Sequence, residues 1–217
     1  MKKLTLIFAA LFLTILTVTA QESPYQKAMK KEIAKLIETD SLPVMQQSAN
    51  AFARIAELNP KEWQPYYYHA LSYTFQGLNN SLTADKKDEA LAKAEDLAKK
   101  ADGVSPNNSE IVALQGFITM AKVSVDPSSR GQSLSGQVMQ AFGKALALND
   151  KNPRALILLA QMEYGMAKFF GSGTEKACGS AKQSLAIFAG QDEEALKAAI
   201  QPTWGKFLAE KMVKSCQ

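Results

Sequence analysis

Apolar residues recur at spacings of three and four along most of the chain after residue 20, which is the pattern of amphipathic helices. One such stripe consists of Leu91, Ala94, Leu97 and Ala98. No convincing run of alternating β-branched residues interrupts this pattern, so the sequence predicts an all-α fold. Breaks such as Asn59-Pro60 punctuate the helices. The pattern predicts nine helices, near residues 24–38, 42–58, 62–76, 84–102, 108–122, 134–148, 153–168, 174–189 and 203–215.

The first twenty residues have the pattern of a secretory signal peptide. Lys2 and Lys3 form a short positive region, an uncharged run follows from residue 4 to residue 18, and small residues lead to Ala20. The alternative is an uncleaved membrane anchor, but a spanning helix needs about 20 apolar residues and this run is shorter. We therefore expect cleavage after Ala20 and one mature domain, residues 21–217, exported to the periplasm or the cell exterior without stable membrane insertion.

A repeat emerges when the chain is aligned on three anchors, Pro60, Pro106 and Asp150, whose spacings are 46 and 44 residues. Small residues between bulky neighbours let two helices approach closely, and their recurrence at a fixed offset lets one hairpin pack on the next. Ten residues after each anchor stands a small residue, namely Ala70, Gly116 and Ala160.

These offsets resemble the tetratricopeptide repeat (TPR), and residues 145–156 are the best match, although Asp150 stands where the family usually has Pro. The resemblance implies an all-α helical-hairpin solenoid of TPR type, with about three to four long repeats. A TPR unit has about 34 residues, so the longer period predicts extra loops between helix A and helix B of each unit. We expect these loops at residues 77–85, 123–133 and 169–174.

The last part of the chain departs from the repeat, and residues 201–217 are predicted to form a capping helix. A solenoid needs such a cap because its final hairpin would otherwise leave an apolar face bare. The expected contacts of the cap are Trp204, Phe207, Leu208 and Met212.

The loop edge of this stack is the first candidate binding surface. In a stack of hairpins all A-to-B connections emerge on one edge, and insertions there often mark a binding face. We expect this edge to carry Arg130, Phe169 and Phe170 as partner contacts. The alternative interpretation is that both Phe side chains tuck beneath their own loop while Arg130 bonds to loop carbonyls.

The concave groove, lined by helix A of each repeat, is the second candidate. Its expected contacts are Tyr67, Phe75, Phe117 and Gln161, although aromatic residues at these spacings are more often core. His69 is interpreted as a packing residue, because metal binding or acid–base chemistry would need partners that the sequence does not place nearby.

Cys178 and Cys216 form an even pair in a chain predicted to be exported, which favours a disulfide between them. The alternative is two separate buried thiols, because the sequence does not give the Cα separation that a bridge requires.

Charge and composition exclude several classes of function. The chain has 25 Lys+Arg against 21 Asp+Glu, and a net charge of +4 is too small to indicate nucleic-acid binding. One His and two Cys are too few ligands for a zinc cluster. The sequence also lacks catalytic and phosphate-binding motifs, so it predicts a protein that is not an enzyme and binds no cofactor. The sequence therefore predicts a scaffold or adaptor that binds a protein or peptide. Two alternatives remain: an accessory subunit of an envelope complex that uses the loop edge, and a small-ligand carrier or enzyme that uses the Tyr-rich groove.

Overall fold

The computed structural model describes residues 22–216, and the predicted signal peptide lies outside these residues. The described chain contains ten helices and no strands. The helices are α1 (Pro24–Ile37), α2 (Leu42–Leu58), α3 (Trp63–Leu78), α4 (Ala84–Val104), α5 (Ser109–Val125), α6 (Pro127–Leu148), α7 (Pro153–Phe170), α8 (Glu175–Ala189), α9 (Glu193–Ala198) and α10 (Lys206–Ser215).

Side-chain caps mark where several helices begin. Ser23 accepts a hydrogen bond from the backbone N–H of Gln26, whose side chain in turn accepts one from the Ser23 N–H. At the start of α7, the Asn152 side chain accepts from the N–H groups of Arg154 and Ala155. These caps satisfy N–H groups that lack a partner in the first turn, so they define the helix boundaries.

The helices are arranged as successive hairpins. Contacts are densest between helices that follow one another in the chain, namely α3 and α4, α5 and α6, α2 and α3, and α7 and α8, and α5 also touches both α3 and α7 along the stack. The three A helices are therefore neighbours, and each hairpin buries apolar surface of the next. This arrangement confirms the predicted all-α hairpin stack. Across residues 22–216, no helix is long and apolar enough to cross a membrane.

Small residues occupy the expected places between the helices. Ala70 and Ala160 are fully buried. A Cβ atom added to Gly116 would lie only 2.7 Å from Cε1 of Phe142 on α6. Since real Cβ atoms do not come so close, glycine is what lets α5 and α6 approach.

The prediction of long loops between helix A and helix B of each repeat is wrong. The α3–α4 and α7–α8 connections are short, and Asp126 alone separates α5 from α6. The extra residues of the repeat instead lengthen helix B, to 21 residues in α4 and 22 in α6. The physical reason is that Asp126 caps α6 by accepting from the Ser129 N–H, and Pro127 fits the first turn. Helix α6 therefore begins at Pro127 and not near residue 134.

The C-terminal part differs from the predicted cap in its helices and in one side-chain contact. The short helix α9 was not predicted, and a non-helical segment, residues 199–205, runs from it to α10. Trp204 and Met212 are buried and Leu208 is half-buried, as expected of cap contacts. Phe207, in contrast, is 57% exposed, so its predicted contact is wrong.

A disulfide joins Cys178 on α8 to Cys216 at the end of α10, with the two Cα atoms 5.8 Å apart. This confirms the pairing predicted from the sequence and ties the last helix to the final hairpin.

Removing this disulfide is expected to lower the free energy of unfolding by about 2–4 kcal/mol, because the bridge restricts the unfolded chain across a separation of 38 residues. The measurement is urea unfolding of the wild type and of the Cys178→Ala/Cys216→Ala variant. An unchanged midpoint and slope would contradict a stabilising role for the bridge.

Candidate functional site

The concave groove is filled by the chain itself. Tyr67, Phe75 and Phe117, which were predicted to line the groove, all contact Trp204. The Trp204 ring stacks on Phe117, with centroids 5.5 Å apart, and meets Phe75 edge-on at 6.3 Å. Its indole N–H donates to the Tyr67 hydroxyl at 2.9 Å. The expectation that these residues face an open groove is therefore corrected; the remaining predicted groove residue, Gln161, is half-buried on α7.

Buried polar groups hold the covering segment in place. Arg154, only 2% exposed, donates to the Trp204 carbonyl at 3.2 Å. Its Nε and Nη2 atoms donate to the two carboxylate oxygens of Glu110 at 2.6 and 2.7 Å. Burial, followed by the nearby charge of Glu110, raises the pKa of Tyr67 well above its ordinary value, so its hydroxyl stays protonated. The segment is thus fixed by paired charges and aromatic contacts, and it leaves little of the Tyr-rich surface for an external ligand.

His69 agrees with its interpretation as a packing residue. Its ring lies 5.4 Å from that of Tyr73 on the same helix. Burial, followed by the positive charge of Lys100, lowers the pKa of His69 to about 4, so the ring is neutral at pH 7.

The edge of the stack that was predicted to carry long loops is formed in part by the first turns of α4 and α6. Arg130 lies in the first turns of α6 and forms a two-pronged ion pair with Asp88 near the start of α4, at 2.6 and 2.7 Å. It also donates to the Lys122 carbonyl on α5. Hydrogen bonds from Arg130 hold the pKa of Asp88 below its usual range. These contacts agree with the structural interpretation of Arg130 and show that the starts of α4 and α6 are neighbours on one edge.

Phe169 and Phe170, unlike Arg130, are largely exposed. They end α7 with 83% and 72% of their surfaces exposed, and their rings meet at right angles with centroids 5.1 Å apart. The alternative in which both tuck beneath their own loop is therefore wrong. Gly171, at φ 67°, terminates the helix directly after them. An exposed aromatic pair of this kind typically marks a binding surface.

An apolar hollow of about 280 Å³ lies beside this pair, between α6, α7 and the start of α8, and we call it the α7–α8 hollow. Thioether, aromatic and methyl groups form most of its wall. The apolar lining residues are Met139, Met166, Ala167, Phe170 and Ala177.

Charged groups stand at the rim of the α7–α8 hollow. The Lys176 ammonium pairs with Oε1 of Glu163 at 2.6 Å while its side chain stays largely exposed. Oε2 of Glu163 is buried without a hydrogen-bond partner among residues 22–216. Lys168 does not line the hollow; its ammonium lies 5.5 Å from the centre of the Tyr164 ring. The hollow thus offers apolar contact at its centre and, at its rim, an exposed ammonium group that is paired with a carboxylate.

Sequence reasoning identified Phe169 and Phe170 but missed Met139, Met166 and Lys176. One signal was available, because Met166, Phe169 and Phe170 continue an apolar stripe at spacings of three and four. Met139 comes from the preceding hairpin, and nothing in the sequence pairs it with α7. In the part of the chain that the structure describes, no group of three His, Cys, Asp or Glu residues could hold a metal ion.

Comparison with known protein families finds no match, and comparison with curated proteins finds none either. Among solved structures, the chain is similar to the HusA haemophore from Porphyromonas gingivalis, with a TM-score of 0.79 and 27% sequence identity. The similarity covers 92% of this chain and 96% of that chain. The haemophore is all-helical, which supports the all-α fold, whereas no comparison supports the TPR family as such.

Proposed function

We propose that this protein is an exported carrier that binds a flat, largely apolar ligand of the porphyrin class, haem foremost, without chemical turnover. The observation that carries the proposal is the similarity to a haemophore over nearly the whole chain. It favours the small-ligand carrier among the alternatives derived from the sequence. The adaptor is less well supported, because the chain's own segment fills the concave groove where a peptide would bind.

The α7–α8 hollow and the adjoining phenylalanine pair are the proposed binding site. Phe169 and Phe170 present exposed ring surface on which a flat macrocycle can stack. The thioethers of Met139 and Met166 add soft apolar contact. Haem carries two carboxylate side chains, and the largely exposed ammonium group of Lys176 can pair with one of them in place of, or in addition to, Glu163.

The donor set of the hollow fits the macrocycle of haem better than its iron. The only histidine of the chain, His69, is packed beside Tyr73 on α3 and does not line the hollow. Met139 and Met166 are the lining residues with a soft donor atom. In this proposal the ring and carboxylate contacts supply most of the affinity.

Export is part of the same proposal. The signal-peptide pattern of residues 1–20 and the Cys178–Cys216 disulfide both suit an oxidising compartment outside the cytoplasm. A carrier in the periplasm or outside the cell would meet its ligand before the ligand enters the cytoplasm.

The Phe169→Ser/Phe170→Ser variant of residues 21–217 is expected to bind haem at least about tenfold more weakly, because it removes two apolar contact surfaces. A tenfold loss of affinity corresponds to about 1.4 kcal/mol of binding free energy. Haem binding is measured by absorbance titration of both proteins. The matched control is Phe207→Ser, which alters an exposed phenylalanine on α10 that does not line the hollow. Equal affinity of all three proteins would contradict the location of the site, and a wild type that binds no haem would contradict the proposed ligand class.

The exposed phenylalanine pair also supports a second candidate, an accessory subunit that contacts a protein through the same edge. The same double variant distinguishes the two functions. A variant that keeps wild-type haem affinity but no longer retains a protein from the envelope fraction would favour the accessory subunit.

A further inference from the structure

A second cavity, of about 370 Å³, lies on the opposite side of the hairpin stack from the A-to-B connections. It is formed where α5 begins, where α6 turns into α7, and where residues 191–202 pass across them. We call it the turn-edge cavity. Its volume falls within the range of about 300–1,000 Å³ that is typical of small-ligand sites. It shares no lining residue with the α7–α8 hollow proposed to bind haem.

A buried cation is the first feature of the turn-edge cavity that indicates a ligand. Arg154 lines the cavity and is only 2% exposed. A guanidinium has five N–H donors, and three hydrogen bonds are formed here: two to Glu110 and one to the Trp204 carbonyl. Two of its N–H groups therefore form no hydrogen bond within the described chain.

The net charge of the lining is positive. Lys151 lines the cavity, and its ammonium forms no ion pair with any residue in the described range 22–216. Glu110 is the only carboxylate of the lining and is already paired with Arg154. Two positive charges thus face one negative charge, which leaves a net charge of +1 for an incoming anion.

Free amides add to this preference. Helices α5 and α7 begin at the cavity, whereas α6 and the short helix α9 end there, so the helix ends contribute charge of both signs. The side-chain amides of Gln191 and Gln201 also line the cavity and form no hydrogen bond within the described chain. Leu148 and Leu196 supply apolar surface beside these polar groups.

We infer that the turn-edge cavity is a binding site for a small organic monocarboxylate with an apolar body. The carboxylate accepts hydrogen bonds from Lys151 and the spare Arg154 donors, and the apolar body lies against Leu148 and Leu196. The glutamine amides complete the polar side of the site. This site is separate from the α7–α8 hollow and does not depend on the binding of haem.

The probe for this inference is 4-methylpentanoate, and its uncharged counterpart of the same shape is 4-methylpentanamide. Both are titrated to about 10 mM into ¹⁵N-labelled residues 21–217, a concentration at which a site of millimolar affinity is largely filled. We expect the acid to shift the backbone amide signals of residues 148–154 and 191–202. The amide should bind about tenfold more weakly, because it lacks the charge-assisted hydrogen bonds.

Two lysine variants make the test specific. Lys151→Gln removes the ammonium group of the lining and is expected to weaken binding of the acid about tenfold. Lys144→Gln removes one exposed positive charge of α6 outside the lining and should leave binding unchanged. Because both lysines are exposed, both variants should fold.

Several outcomes would overturn the inference: equal binding of acid and amide, equal effects of the two lysine substitutions, or no shift at residues 148–154 and 191–202. The Phe169→Ser/Phe170→Ser variant should bind the acid as the wild type does, so the two proposed sites fail or hold independently. Displacement of the acid by one equivalent of haem would contradict two separate sites.

Discussion

Replacement of Trp204 by alanine is expected to lower the free energy of unfolding by about 3–5 kcal/mol, the usual cost of truncating a buried tryptophan. Trp204 is 2% exposed and lies between Phe75 and Phe117. Its removal leaves a cavity among aromatic rings and takes the donor away from the buried Tyr67 hydroxyl. The measurement is urea unfolding followed by circular dichroism.

Phe207→Ala is the matched control for this prediction. Phe207 lies three residues further along the chain and is 57% exposed, so its loss should change stability by no more than about 0.5 kcal/mol. Trp204→Phe should fall between the two, because it keeps ring stacking but lacks the indole N–H. If Trp204→Ala and Phe207→Ala had equal effects, the covering segment would not be part of the cooperative core.

Replacement of Arg154 by methionine is the second substitution with a large expected effect, again about 3–5 kcal/mol of lost stability. The guanidinium is buried and pairs with Glu110 through two hydrogen bonds. Without it, a largely buried carboxylate loses its compensating charge, and the Trp204 carbonyl loses its donor. Urea unfolding again measures the loss.

A double-mutant cycle separates the lost ion pair from lost packing. Glu110→Gln in the Arg154→Met background should recover part of the stability, since the uncompensated charge disappears. Strictly additive losses in the two single variants and the double variant would mean that the two side chains stabilise the fold independently. That result would contradict the coupling inferred from their contact.

The hairpin stack could be predicted because its signals are local and repeated. Helical periodicity, helix-breaking residues, and small residues at Ala70, Gly116 and Ala160 together give the element order and the packing register. The long loops were predicted wrongly because a longer repeat period can lengthen either a loop or a helix. Here Asp126 and Pro127 start helix α6 early, so the helix is lengthened. An Asp followed by Pro is a helix-start signal that can be recognised in the sequence.

The candidate sites were harder to predict because they depend on contacts between distant parts of the chain. The aromatic residues of α3 and α5 were placed on the concave side, but their burial depends on Trp204, which is 137 residues from Tyr67 in sequence. Periodicity reports which face of a helix is apolar, and it does not report which partner covers that face. The α7–α8 hollow likewise combines Met139 with residues of the following hairpin.

The disulfide also fixes the position of Cys216 relative to the α7–α8 hollow. Cys178 directly follows Ala177, a lining residue of the α7–α8 hollow, and the Cα atom of Cys216 lies 5.8 Å from that of Cys178. A purification tag attached shortly after Cys216 would therefore be tethered close to the proposed haem site. A polyhistidine tag there could bind the haem iron through its imidazoles and imitate a function of the protein itself. Ligand measurements are best made with an untagged chain or with a tag that is removed beforehand.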